Sequence, residues 1–120
     1  MKFESVRQRR KVMSILNANT ARSKRSQTCH NTSVRRRATG LESKGWNVKA
    51  DIPDFDRPKT LHVREKGVRP DIFATKGKRT RIIEVETRET RYRDLPQHRL
   101  LRAYGRSHKK TEVNVRTCDY

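Results

Sequence analysis

The chain has 120 residues, with 31 lysines and arginines against 13 aspartates and glutamates, which gives a formal net charge of +18. Hydrophobic residues make up 31% of it, so we expect one domain with a small core. No run approaches the roughly 18 apolar residues of a membrane span, and the first residues do not predict a signal peptide. Two cysteines, Cys29 and Cys118, exclude a disulfide-dense scaffold and suit a reducing compartment. The expectation is an intracellular, cytoplasmic protein that does not contact a membrane.

The charge of the chain predicts a polyanionic partner. Residues 1–40 contain 11 basic residues and one acidic residue, whereas residues 41–120 contain 20 and 12. The first part is therefore an almost purely cationic arm, and the second is mixed in sign. An excess of this size attracts nucleic acid, and we expect DNA to be the partner. RNA stays open as an alternative target, because the sequence has no aromatic stacking array that would separate the two.

The N-terminal part of the chain predicts an arm. Apolar residues between positions 3 and 17 form a loose helical stripe, which favours a short amphipathic helix. Residues 20–33 are polar and lack periodicity, which is typical of a linker or of a segment that orders on its partner. We therefore divide the chain into a basic N-terminal helical arm at 1–33 and a core domain at 34–120.

The core domain is predicted to open with a helix and a strand. Val34, Ala38 and Leu41 fall on one helical face, and Gly45 should end that helix. The residues that follow alternate between apolar and polar, as in a half-buried strand. The apolar positions of this strand are Trp46, Val48, Ala50 and Ile52. Residues 54–66 then predict a long loop.

The second half of the core predicts a hairpin, a helix and a last strand. Two β-rich runs flank a polar turn at Gly77-Lys78, so an antiparallel hairpin is expected. Asp94 is placed to begin a helix that Gly105 should end. Residues 112–117 alternate again and predict a final strand. The fold class is therefore α/β, a small mixed central β-sheet flanked by helices.

The hairpin register predicts three carboxylates on one face. With the turn centred on Gly77-Lys78, Asp71 lies directly opposite Glu84, and Glu86 points the same way as Glu84. Opposed like charges destabilise a sheet, and a hard cation such as Mg²⁺ would neutralise them. Neighbouring arginines could instead form an exposed ion-pair face with the acids. These arginines are Arg69, Arg81, Arg88 and Arg91.

The same residues resemble a known nuclease family. Pro70-Asp71, followed 13 residues after Asp71 by Glu84-Val85-Glu86 on an apolar strand, is similar to the signature of the PD-(D/E)xK superfamily. That superfamily includes restriction endonucleases and archaeal Holliday-junction resolvases. The order of the predicted elements agrees with its core order.

The resemblance implies a fold, an activity and a cofactor. It covers about residues 34–118 and implies a restriction-endonuclease-like core in the order αβββαβ. The activity would be hydrolysis of DNA phosphodiester bonds by a metal-activated water, with Asp71 and Glu84 as ligands of Mg²⁺ or Mn²⁺. Gln97 resembles the polar residue that many members place near the site. Glu86 occupies the position at which lysine is usual.

That glutamate leaves two functions open. A few restriction enzymes of the superfamily carry glutamate there and remain active, with the carboxylate as a base or an additional metal ligand, so Glu86 is a candidate for both roles. The alternative is a non-catalytic nucleic-acid-binding protein, either with a degenerate nuclease fold or of the small basic kind found on ribosomes and nucleoids.

Several cations are candidates for contacts with the nucleic-acid backbone. Such contacts supply affinity without sequence preference. The candidates are Arg35, Arg36, Arg37, Arg69, Lys76 and Lys78. A two-fold homodimer would allow one small active site per chain to cut both strands of a duplex.

Overall fold

A computed structural model of the protein describes residues 23–118, where the chain forms a mixed α/β structure. The predicted helix at 3–17 lies outside the described residues. In chain order the elements are α1 (Lys24–Ser43), β1 (Asn47–Ala50), β2 (Leu61–Val63), β3 (Lys66–Val68), β4 (Ile72–Lys76), β5 (Arg79–Thr87), α2 (Leu95–Arg106) and β6 (Thr111–Cys118).

Helix α1 is longer than the sequence predicted. It begins at Lys24, after Ser23, whose hydroxyl oxygen accepts a hydrogen bond from the Ser26 amide at 3.1 Å. The linker predicted at 20–33 is therefore wrong from Lys24 onward, and the boundary drawn at 33/34 falls inside one helix. The buried face of this first half is polar, with Ser26 and His30 in place of apolar residues, so it has no hydrophobic periodicity.

A four-stranded mixed sheet lies between the two helices. Its strand order is β1-β4-β5-β6, in which β5 and β6 are parallel and the other neighbours are antiparallel. Ile83 faces the core formed with α1, and Ile82 faces the core formed with Leu101 of α2. Consecutive strand residues project to opposite faces, so both faces of β5 are covered.

The predicted hairpin register is confirmed. Ile72 pairs with Ile83 and Lys76 with Arg79, so Asp71 precedes the paired residues at the position opposite Glu84. The turn contains Gly77 at φ +60, a left-handed conformation that glycine adopts without a steric cost.

The predicted loop at 54–66 contains part of a small hairpin, which corrects that expectation. Strands β2 and β3 pair antiparallel, with Leu61 opposite Val68, and both side chains pack toward Leu101 of α2. Strands of three residues are too short to show a period of two, so the pattern did not predict them.

Two glycines expected to end helices behave differently. Helix α1 ends at Ser43 and Gly45 follows at φ +92, as predicted. Helix α2 continues through Gly105 to Arg106. A Cβ atom at position 105 would lie 2.7 Å from Cγ2 of Val113 on β6, so Gly105 permits close packing and is not a stop signal.

The two cysteines form a disulfide, which the sequence did not predict. Cys29 of α1 is bonded to Cys118 at the end of β6, and their Cα atoms lie 6.0 Å apart. Cys118 also packs against the core beneath α1. Within residues 23–118, no helix has the length and apolar character required to cross a membrane.

Candidate active site

Asp71 and Glu84 meet where β4 begins and β5 approaches its end, and Glu86 follows two residues after Glu84. We call Asp71, Glu84 and Glu86 the carboxylate cluster. Glu84 and Glu86 are buried, with 3% and 1% of their surfaces exposed. They alternate with Val85, which packs on the α1 side of the sheet, so both glutamates are on the α2 side. Burial of two acids in a protein with so small a core requires specific partners.

Asp71 and Glu84 are held together by reciprocal hydrogen bonds. The Asp71 amide donates to Oε1 of Glu84 at 3.0 Å, and the Val85 amide donates to Oδ2 of Asp71 at 2.8 Å. Nε2 of His30, on α1, lies 3.2 Å from the same Asp71 oxygen. The two carboxylates are therefore oriented by the backbone of the neighbouring strand, and that constraint gives them a defined geometry.

Gln97 joins this pair from α2. Its Nε2 donates a short hydrogen bond to Oε2 of Glu84. The structure thus brings Asp71 and Glu84 together, as the hairpin register predicted, and it places Gln97 beside Glu84. Both oxygens of Glu84 now accept one hydrogen bond each, whereas a carboxylate has sites for about four.

Glu86 has different partners from the other two acids. Its Oε1 accepts a hydrogen bond from the Thr90 hydroxyl at 2.5 Å, and its Oε2 lies 2.7 Å from Nε2 of His98. Thr90 and His98 are themselves buried. Burial raises the pKa of Glu86, and the nearby Asp94 side chain adds to that rise. Glu86 is therefore engaged with the start of α2 and the loop before it.

Burial and the neighbouring carboxylates disfavour the ionised form of Glu84. Burial raises the pKa of Glu84 to about 9, the negative charges of Asp71, Glu86 and Asp94 add to that rise, and the hydrogen bond from the Asp71 amide opposes it. Burial also raises the pKa of Glu86, against the lowering effect of its Thr90 and His98 hydrogen bonds. A proton or a cation on Glu84 would relieve this repulsion.

Asp71 and Glu84 have the donor chemistry that Mg²⁺ or Mn²⁺ requires. Mg²⁺ is usually held by one or two carboxylates and keeps several waters. Among the residues that the structure describes, no group of three or more acidic, histidine or cysteine side chains is arranged to hold a metal ion. Asp71 and Glu84 offer two carboxylates of this kind, whereas Glu86 is directed to Thr90 and His98.

Sequence reasoning missed four residues around the cluster. Two of them carried a usable signal: His30 precedes Val34 by four residues, and His98 precedes Leu101 by three, so each shares a helical face with a core residue. The other two lie between β5 and α2, where no periodicity exists. The four residues are His30, Thr90, Asp94 and His98.

The predicted backbone-binding cations do not form one surface beside the cluster. Lys76 donates to the Lys44 carbonyl oxygen at 2.7 Å, and it lies at the other end of β4 from Asp71, about 16 Å away at the usual rise of a strand. Lys78 is exposed at the same turn. Arg69, two residues before Asp71, is exposed at the cluster end of the strand.

The three arginines at 35–37 lie on α1. Arg35 approaches the Asp54 carboxylate at 3.7 Å, and Nε of Arg37 donates to the Ser33 hydroxyl at 3.2 Å. Burial lowers the pKa of Arg37, and the charges of Arg36 and Arg116 lower it further. These cations are crowded together, which suits them to a polyanion.

Two histidine side chains contact the carboxylate cluster. Besides the His30–Asp71 contact, His98 approaches Glu86 at 2.7 Å. Arg81, one of the arginines considered for an ion-pair face, instead approaches Glu112 at 3.5 Å. Those contacts favour a buried polar centre over an exposed ion-pair face.

A basic groove lies between the β2–β3 hairpin and α2. Its volume is about 740 Å³, and Pro96, the residue before Gln97, lines it near the start of α2. Four exposed basic side chains and one acidic side chain also line it. They are Arg64, Lys66, Arg99, Arg106 and Glu65.

Comparison with known proteins identifies no relative of this chain. The sequence matches no family model, and no curated protein or solved structure is found to be similar to the chain. Any functional conclusion therefore rests on the geometry and chemistry of the cluster and on the charge around it.

Proposed function

We propose that this protein is a metal-dependent DNA endonuclease with a restriction-endonuclease-like core. The observation that carries the proposal is the pair formed by Asp71 and Glu84, two carboxylates oriented by reciprocal hydrogen bonds and joined by Gln97. The element order supports it, because without the β2–β3 hairpin the described chain runs αβββαβ. The net charge of +18 supports a polyanionic substrate.

In this proposal Asp71 and Glu84 hold a Mg²⁺ or Mn²⁺ ion. An ion bound there would supply Lewis-acid chemistry to the phosphodiester and make a water more acidic. Attack of that water on phosphorus would form one P–O bond and break the P–O bond to the leaving strand, whose oxygen would take up a proton. Gln97 orients Glu84 through its amide, and His30 orients Asp71. Binding of the cation would release the proton that the raised pKa of Glu84 retains at neutral pH.

Glu86 acts in this proposal as a positioning residue. Both of its oxygens are already occupied, by Thr90 and by His98. Gln97 and His98 are consecutive on α2, so the contact between Glu86 and His98 places Gln97 opposite Glu84. That role explains why a carboxylate at the position of the usual lysine is compatible with an active pair.

A cleavage assay tests the proposal. Supercoiled plasmid and a branched duplex are incubated with Mg²⁺, Mn²⁺ or EDTA, and we expect cutting only with a divalent metal. Glu84→Gln should lower the rate by about 100-fold or more, because even residues behind metal ligands change activity by about 10–100-fold. Gln97→Ala should lower the cleavage rate by about 10–100-fold.

The matched control is Glu42→Gln, which removes an exposed carboxylate from α1 and should cut at the rate of the unmodified protein. All variants are purified identically. Equal cutting by the Glu84→Gln protein would assign the activity to a contaminant and contradict the proposal.

The second candidate function is nucleic-acid binding without cleavage. The observation that favours it is Glu86, a carboxylate where the resembling family has lysine. Both of its oxygens are already occupied by hydrogen-bond partners. Binding retained by Glu84→Gln, with no cutting under any metal, would select this function.

A further inference from the structure

The segment between β5 and α2 connects the carboxylate cluster to the protein surface. We call residues 88–94 the β5–α2 loop. Its inner side is anchored at Thr90, which is fully buried, donates to Glu86, and accepts a hydrogen bond from the Thr87 amide at 3.0 Å. The Asp94 amide donates to the Thr90 carbonyl oxygen at 3.0 Å. The loop therefore has a defined position against the cluster.

The outer side of the same loop exposes an aromatic ring. Tyr92 is 72% exposed, and the other large hydrophobic side chain that is exposed within residues 23–118, Leu95, is 43% exposed. The guanidinium carbon of Arg91 lies 5.0 Å from the centre of the Tyr92 ring. Arg88 and Arg93 are exposed on the same segment.

This combination suits one kind of ligand. An aromatic ring with a cation over it stacks on the face of a nucleobase, and neighbouring arginines bind the phosphates. In a duplex each base face is covered by the next base pair, so a ring on a surface loop reaches only the face of an unpaired base. Few residues separate the ring from the cluster along the chain, because Tyr92 is two residues after Thr90 and Thr90 contacts Glu86.

We propose that Tyr92 is a stacking platform for an unpaired base beside the carboxylate cluster, on the side of Glu86, so that the substrate is single-stranded or locally unpaired where it is bound. The proposal rests on the proposed function for the identity of the ligand as a polynucleotide. It adds the class of substrate, a strand with accessible bases, which neither the charge nor the cluster specifies. Arg91 contributes a cation to the same platform.

Binding without metal tests this proposal separately from cleavage. Fluorescence anisotropy in EDTA is measured for a single-stranded oligonucleotide and a blunt duplex of the same length, each as DNA and as RNA. We expect Tyr92→Ala to weaken single-strand binding about tenfold, the usual size of one base–aromatic stack. Duplex binding should change by less than about twofold, because phosphate contacts dominate it. Tyr92→Phe, which keeps the ring, should bind as the unmodified protein does.

A second readout reports the stack itself. An oligonucleotide carrying 2-aminopurine should lose fluorescence on binding to the unmodified and Tyr92→Phe proteins, and retain it with Tyr92→Ala. Leu95→Ala, which truncates the neighbouring exposed apolar side chain, is the matched control and should keep the quenching.

Equal single-strand affinity of the unmodified and Tyr92→Ala proteins would overturn the proposal. An equal loss of affinity for the duplex and for the single strand would overturn it as well. Comparing the affinities for DNA and RNA shows which sugar the protein prefers, since a contact with the 2′-hydroxyl would make the two affinities differ. If Tyr92→Ala behaves as expected and no metal supports cutting, the platform stands and the nuclease proposal fails.

Discussion

Glu86 shows how one side chain can change the meaning of a motif. The sequence places it where the resembling family has lysine, and the resemblance made it a candidate metal ligand or base. The structure gives it a buried position, 1% exposed, between the Thr90 hydroxyl and the His98 ring. A buried acid with two hydrogen-bond partners contributes to stability through those partners.

Replacing Glu86 by the usual lysine should therefore damage the protein. Glu86→Lys would bury a cation beside His98 and leave the Thr90 hydroxyl without its acceptor, and we expect a loss of about 3–5 kcal/mol in the free energy of unfolding. Glu86→Gln keeps the shape and part of the hydrogen bonding, and should lose about 1–2 kcal/mol. Urea denaturation measures both. A Glu86→Lys protein of unchanged stability would contradict the positioning role.

At the scale of the element, two helical glycines have opposite surroundings. Gly105 lies where α2 meets β6, and an added Cβ would approach Cγ2 of Val113 to 2.7 Å. Gly40 lies inside α1 with no atom within 4 Å of an added Cβ. The sequence could not distinguish the two, because the contact with Val113 depends on how α2 is packed.

These glycines make a matched pair of substitutions. Gly105→Ala should lower the free energy of unfolding by about 1–3 kcal/mol, since the stiff, branched Val113 side chain cannot move aside freely. Gly40→Ala should raise it by about 0.5–1 kcal/mol by favouring the helix. Urea denaturation of both proteins checks the signs. Stabilisation by Gly105→Ala would show that α2 and β6 are farther apart than described.

At the scale of the whole molecule, the disulfide joins elements that are distant in the chain. Cys29 and Cys118 are separated by 89 residues, and Cys29 precedes His30, which contacts Asp71. The bond thus ties α1 to the end of β6 close to the carboxylate cluster. A small core in a chain with 31% hydrophobic residues makes such a constraint valuable.

Loss of this bond should lower stability markedly. Cys118→Ser is expected to lose about 2–4 kcal/mol in the free energy of unfolding, because a long loop is released in the unfolded chain. Reduction with dithiothreitol should lower the free energy of unfolding of the unmodified protein to that of Cys118→Ser. The same treatment should leave the free energy of unfolding of Cys118→Ser unchanged. An unmodified protein insensitive to the reductant would contradict a stabilising disulfide.

The local features of this protein were predictable from its sequence. Alternation and a glycine turn are short-range signals, so they determined the β4–β5 register and placed Asp71 opposite Glu84. The helical spacing of Val34, Ala38 and Leu41 likewise identified the buried face of the second half of α1. The candidate pair of carboxylates followed from this register alone.

Only the tertiary structure decided which partners these residues have. His30 reaches Asp71 from 41 positions earlier in the chain, and His98 reaches Glu86 from α2. The polar half of α1 and the three-residue strands β2 and β3 form because they pack against the sheet or helix beside them, although their own patterns are weak. Period and turn chemistry act over a few residues, whereas burial, pKa shifts and the partner of Glu86 depend on contacts that exist only once the chain has folded.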